Sequence, residues 1–93
     1  MTALIVVPVF DEAETVGAVV AAARAHGPVL VVDDGSRDGS GEIARRAGAE
    51  VIRHPSRRGK GEAIRTGIAV ARERGASAEA PPRLAPPSLA HWA

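Results

Sequence analysis

The chain has 93 residues, enough for one small domain, which buries a smaller share of its surface than a full-sized one. Hydrophobic residues make up 45% but aromatics only 2%, so the core has to be built from Ala and Val with few bulky anchors. Lys plus Arg (12) nearly balances Asp plus Glu (11) for a formal charge of +1, without the basic block that tracks a phosphodiester backbone, which argues against nucleic acid as a partner.

Ala3 to Val9 is mostly Val, Ile and Leu, a near-continuous apolar run of the kind that forms a parallel strand buried on both faces. Pro8 lies near its end, where a missing N–H is tolerable. Asp11 followed by Glu14 has the spacing of a capping box with Asp in the Ser/Thr place, and it predicts an amphipathic Ala/Val helix running to about His26 and stopped by Gly27-Pro28. Val29 to Val32 reads as a second strand, Asp33 to Ser40 as a polar turn, and Gly41 to Ala47 as a short helix closed by Gly48. Glu50 to Arg53 reads as a third strand. A loop from His54 to Gly59 then leads into a helix with Ile64, Ile68 and Ala71 on one face, ending near Arg74-Gly75. Strand and helix alternating in this way predict an α/β fold with right-handed crossovers.

After Gly75 the text changes. Ala78 to Ala93 contains four prolines, Pro81, Pro82, Pro86 and Pro87, with no helical or strand periodicity. Residues 76–93 are therefore read as a disordered Pro/Ala-rich tail, with no fourth strand after the third helix and the look of a truncated or frame-shifted terminus. The absence of cysteine excludes a disulfide framework, thiolate metal sites and cysteine nucleophiles, and makes a reducing cytoplasm the simplest setting. Leu4 to Val7 is too short for a signal peptide, and no stretch approaches the about 18 apolar residues of a membrane span.

Three polar clusters interrupt the apolar pattern: residues 10–12, 33–39 and 54–61. Each follows the carboxyl end of a strand, the edge of an open parallel sheet where ligands bind. Asp33 and Asp34 stand side by side there. Neighbouring side chains on an extended backbone point opposite ways, so one carboxylate can face a ligand while the other braces the loop. Asx-turns and helix capping account equally well for Asp33 and Asp38. Asp34 is the stronger candidate, because turn chemistry does not require a second acid, and it can accept from a nucleobase N–H or a ribose hydroxyl.

The segment His-Pro-Ser-Arg-Arg-Gly-Lys-Gly, residues 54–61, places two glycines and three cations at a strand-to-helix junction. That suits anion contact through backbone N–H groups and Lys60 or Arg58, although neither the Walker nor the GxGxxG spacing is present. Arg57 is read as a solvated surface charge. His26, His54 and His91 share no metal-ligand spacing and are read as surface residues. Glu62, Arg65, Arg72 and Glu73 fall on the polar side of their helix, and Trp92 is a lone aromatic in the tail.

Three motifs in order, Val7-Pro8-Val9-Phe10-Asp11-Glu12, Val32-Asp33-Asp34-Gly35-Ser36-Arg37-Asp38-Gly39-Ser40 and Arg58-Gly59-Lys60-Gly61-Glu62-Ala63, resemble family-2 glycosyltransferases, especially the polyprenyl-phosphate (dolichol-phosphate mannose synthase-like) branch. The resemblance covers about Leu4 to Gly75, with Asp11 in place of the Asn of the family's usual VPxxNE. It implies the three-layer α/β/α GT-A fold with a parallel sheet, truncated after about three β-α units, residues 1–75 being the N-terminal nucleotide-sugar-binding part. By resemblance Pro8, Phe10 and Glu12 would line the nucleotide pocket, Asp34 would hold the base or ribose, and Lys60 would lie near the nucleotide; no catalytic residue carries over.

The reaction so implied passes a sugar from a nucleoside-diphosphate sugar, of the GDP-mannose or UDP-glucose class, to an acceptor such as polyprenyl phosphate. A membrane-surface acceptor is compatible with the full-length family. A divalent cation, Mg or Mn, held by a DxD motif would neutralise the diphosphate leaving group, yet no Asp follows Asp38, so the metal ligands are absent. If the sheet order is the family's 3-2-1-4, loss of strand 4 leaves the first strand as an apolar edge open to self-association. The alternative is then a truncated, non-catalytic nucleotide-binding remnant that self-associates. A receiver-like phospho-signalling domain, prompted by Val-Val-Asp-Asp, fails because a phosphoacceptor Asp on a later strand is missing.

Overall fold

Seven elements follow one another in residues 2–82, the part of the chain described by the computed structural model: β1 (Ala3–Val9), α1 (Val16–Arg24), β2 (Val29–Asp33), α2 (Ser40–Arg46), β3 (Glu50–Arg53), α3 (Lys60–Glu73) and β4 (Ser77–Glu79). The strands form one parallel sheet in the order β3-β2-β1-β4. Period-2 alternation sorts the apolar side chains of β1 and β2 to two faces. Ile5, Val7, Val9, Val29 and Val31 pack with Val16, Val19, Val20 and Ala23 of α1 and Ala44 of α2. Leu4, Val6, Leu30 and Val32 pack with Ala63 and Ala71 of α3. Both faces being covered, β1 and β2 are continuous apolar runs, and the three-layer α/β/α reading of the sequence holds.

Three expectations change. The first concerns the strand that was not expected: Ser77–Glu79 pairs with Ala3–Ile5 of β1 in parallel. Its Ser-Ala-Glu side chains are all exposed, so the backbone alone makes it a strand and no apolar pattern announces it. The boundary expected at Gly75 is a turn within the fold, while residues 83–93, with His91 and Trp92, lie outside the described residues. Beyond Ile5, β1 has no strand partner on that side among the described residues. Ile5 N–H donates to Pro28 and the Val9 carbonyl accepts from Asp34 N–H, so odd residues face β2 and Pro8 turns its missing N–H toward the open edge.

The second concerns α3, whose buried face is Ala63, Gly67 and Ala71; Ile64 and Ile68 are only half-buried. Small residues let the helix axis approach the sheet closely, so the larger residues are displaced to its flanks. The third is the capping box. Thr15, not Asp11, is the N-cap of α1, and its hydroxyl donates to Glu12 Oε2 rather than capping the helix; Asp11 sits in left-handed backbone at φ 50 and gives its carboxylate to the next loop. The helix also stops at Arg24, two residues short of His26. Among the described residues no helix is long and apolar enough to cross a membrane.

Candidate functional site

The loops after β1, β2 and β3 meet at the carboxyl edge of the sheet and are bonded to one another. Asp11 N–H donates to Ser36 Oγ at 2.8 Å and Glu12 N–H to Ser40 Oγ at 2.8 Å. Ala13 N–H donates to Asp38 Oδ2 at 3.1 Å, and Arg37 N–H returns a bond to Asp11 Oδ1 at 2.9 Å. The second Asp38 oxygen accepts from Ser40, both its N–H and its hydroxyl. Burial works against the Asp38 carboxylate, but the Ser40 hydroxyl and the Ala13 and Ser40 N–H groups outweigh it and hold the group below its usual range.

Asp33 and Asp34 diverge as neighbours on a strand should. Asp33 braces the loop, accepting Ser36 N–H at 2.9 Å and the Arg53 guanidinium at 2.7 Å. Asp34, 2% exposed, crosses to the third loop: Oδ1 meets His54 Nδ1 at 2.8 Å and Arg58 N–H at 2.9 Å, and Oδ2 accepts Gly59 N–H at 2.8 Å. The backbone N–H groups expected to receive a ligand anion at the start of α3 are thus already held by the protein's own carboxylate. With about two lone-pair positions per carboxylate oxygen, one acceptor position remains, on Oδ2. Burial raises the Asp34 pKa, but the bonds from Arg58 N–H, His54 and Gly59 N–H prevail, and the carboxyl lies below its ordinary value.

His54 corrects the surface reading. It is 5% exposed, bridging Asp34 to Thr66 Oγ1 on α3 through Nε2 at 2.8 Å. The signal was present in the pairing of β2 with β3: since Asp33 is level with Arg53, the next residues, Asp34 and His54, become neighbours. Gly35 completes the junction. It has φ +82, and a Cβ there would stand 3.0 Å from the backbone of Ser56 and Arg57, so glycine is required twice over.

Between these loops lies an open cavity of about 670 Å³. Pro8, Phe10, Glu12, Asp34 and Lys60, the five candidates from the sequence, all line it. So do Asp38 and Arg57, which sequence reasoning left aside. Arg57 is exposed, but its guanidinium carbon stands 4.1 Å from the centroid of the Phe10 ring. Among the described residues no group of three or more His, Cys, Asp or Glu side chains is arranged to hold a metal ion. The cavity's Asp34, Asp38 and Asp11 carboxylates each already accept N–H groups of the loops. Among the described residues these carboxylates are not gathered into a divalent-cation site.

A parallel three-layer sheet with its cavity at the carboxyl strand ends is the architecture of GT-A glycosyltransferases, and solved structures of that class superpose on it. Glucosyl-3-phosphoglycerate synthase of Mycobacterium tuberculosis does so with a TM-score of 0.65 at 30% identity, over 74% of this chain and 30% of that one. Mannosyl-3-phosphoglycerate synthase of Rubrobacter xylanophilus gives 0.53 at 33% identity, over 57% and 19%. Residues 4–74 match the family Glycosyl transferase family 2, and the chain belongs to that family. Among curated relatives it is 44% identical over 66 residues to glycosyltransferase AglJ of Haloferax volcanii, covering 69% of this chain and 22% of AglJ. The chain spans about a quarter of the length of such relatives.

Proposed function

We propose that this segment forms the donor-nucleotide half of a family-2 glycosyltransferase, binding a nucleoside-diphosphate sugar of the GDP-mannose or UDP-glucose class. The protein that carries it passes the sugar to an acceptor such as polyprenyl phosphate. The observation that carries the reading is the convergence of Pro8, Phe10, Glu12, Asp34 and Lys60 on one cavity. In it Phe10 offers an apolar ring, the remaining Asp34 oxygen position an acceptor for a base N–H or ribose hydroxyl, and Lys60 a cation for phosphate. An acceptor whose attacking oxygen is already an anion, as in a polyprenyl phosphate, needs little general-base help. No step through a divalent cation is assigned to these residues.

Isothermal titration with GDP and UDP, with and without Mn²⁺, tests the reading beside Lys60→Ala. Lys60 is exposed, so its removal leaves the fold intact. Binding that does not depend on metal and weakens about 5-fold or more in Lys60→Ala is expected; no binding of either nucleotide would remove the proposal.

A second reading, a nucleotide-binding unit without transfer chemistry that self-associates through β1, draws on the part of that strand left uncovered by β4. Pro8 weakens it, having no N–H to give an added strand. Light scattering across concentration is expected to show at most a weak dimer, strengthened in Pro8→Val; a mass that stays monomeric in both would eliminate this reading.

A further inference from the structure

Arg57 is the cavity's second cation, and nothing above uses it. Acidic side chains outnumber basic ones in the lining: Asp11, Glu12, Glu14, Asp34 and Asp38 face only Arg57 and Lys60. A diphosphate entering here needs both cations. In the empty protein, however, Arg57 lies over Phe10, the aromatic ring among the described lining residues, and so covers the flat apolar face that a base would use.

We propose that Arg57 is a ligand-binding residue with two positions: it stacks on Phe10 when the cavity is empty, and it moves to the phosphates when a nucleobase takes the ring. The proposal rests on the nucleotide reading. Its backbone is pinned on both sides, by Asp34 holding the Arg58 and Gly59 N–H groups and by the tight approach of Gly35 to Ser56 and Arg57. Only the long side chain has to move. An exposed cation–π stack is worth a factor of about 2 to 5 in equilibrium constant, whereas a base stacked on an aromatic ring is worth roughly 5-fold or more. The base therefore displaces the guanidinium, and the freed planar fork joins Lys60 on the diphosphate.

The resting stack is tested first, without ligand: the Arg57 δ-methylene protons should be shifted upfield by the Phe10 ring current in NMR spectra, and Phe10→Leu should abolish the shift. Uridine, guanosine, UDP and GDP are then titrated into the wild type, Arg57→Ala and Arg57→Lys. Arg57→Ala should bind the nucleosides about 2- to 5-fold tighter, because the ring is vacant, and the diphosphates about 5-fold weaker. Arg57→Lys, charged but not planar, should keep most of the diphosphate affinity. Absence of the upfield shift overturns the proposal, as does an Arg57→Ala protein in which nucleoside and diphosphate affinities are unchanged or move by the same factor. A wild type that shows the ring-current shift but binds none of the four ligands overturns the nucleotide reading, and the movement of Arg57 with it.

Discussion

Asp34→Ala is expected to unfold at markedly lower urea, losing about 3 kcal/mol, a large part of the roughly 5–10 kcal/mol available to so small a domain. The reason is the set of donors it abandons. His54 is buried and would face an empty site, while the N–H groups of Arg58 and Gly59 lose the acceptor that fixes them at the start of α3. Water recovers part of the backbone loss at the exposed loop, which is why the sum stays well below three full penalties. Asp34→Asn keeps one acceptor but turns an amide N–H₂ toward a donor, and should fall about midway.

The same contact sets a pH dependence. The folded Asp34 carboxyl has a lower pKa than in the unfolded chain, so the unfolded state takes up protons first as pH falls. Its contribution is complete above about pH 5 and is lost as the pH drops through the free-aspartate value of about 3.9 and on through the folded value. Asp38 acts in the same direction. Urea midpoints measured from pH 6 down to pH 2.5 should therefore decline in the wild type and less steeply in Asp34→Asn. An Asp34→Ala protein as stable as the wild type that nevertheless fails to bind nucleotide would show instead that Asp34 serves the ligand and not the loop. Loss of binding in Asp34→Ala alone would not separate these roles, which is why Lys60→Ala is the sharper variant for the binding test.

The legible part of the fold was the part that burial writes directly into sequence. β1 and β2 are rich in Val and Leu, with Ile5 in β1, because each is covered on two faces, and the three polar clusters fall at strand ends, where the apolar pattern stops. The five site candidates came from the family resemblance, Asp34 and Lys60 also from their own place at strand ends, and all five met in one cavity. The contacts between loops were not legible, because they join residues 20 to 28 positions apart, such as His54 with Asp34 and Ser40 with Glu12, and depend on which strands lie side by side. Once β2 is set against β3 in register, the His54 contact follows. Asp11 shows the converse case: a local capping pattern was outcompeted by a distant N–H, that of Arg37. β4 was illegible for a third reason, since a three-residue edge strand with exposed side chains owes nothing to side-chain pattern.

Gly67→Ala tests the same lesson on α3, where the sequence pointed to the isoleucines. By helix propensity alone the substitution should stabilise by about 1 kcal/mol. In this fold a Cβ at position 67 would lie 2.2 Å from Val6 Cγ1 and 3.0 Å from its Cγ2, and Val6 is a buried, β-branched residue of an inner strand, stiff at χ1. Either α3 lifts off the sheet, opening the Leu4, Leu30 and Val32 layer, or Val6 leaves its rotamer; overpacking of this kind costs about 1–3 kcal/mol and outweighs the propensity gain. Gly61→Ala supplies the comparison within the same helix. Nothing lies within 4 Å of a Cβ there, so it should follow propensity and stabilise by up to about 1 kcal/mol. Urea unfolding of the pair is expected to move in opposite directions. If Gly67→Ala is also stabilised, α3 does not pack on β1 through its small-residue face, and Ile64 and Ile68 return as the inward side of the helix.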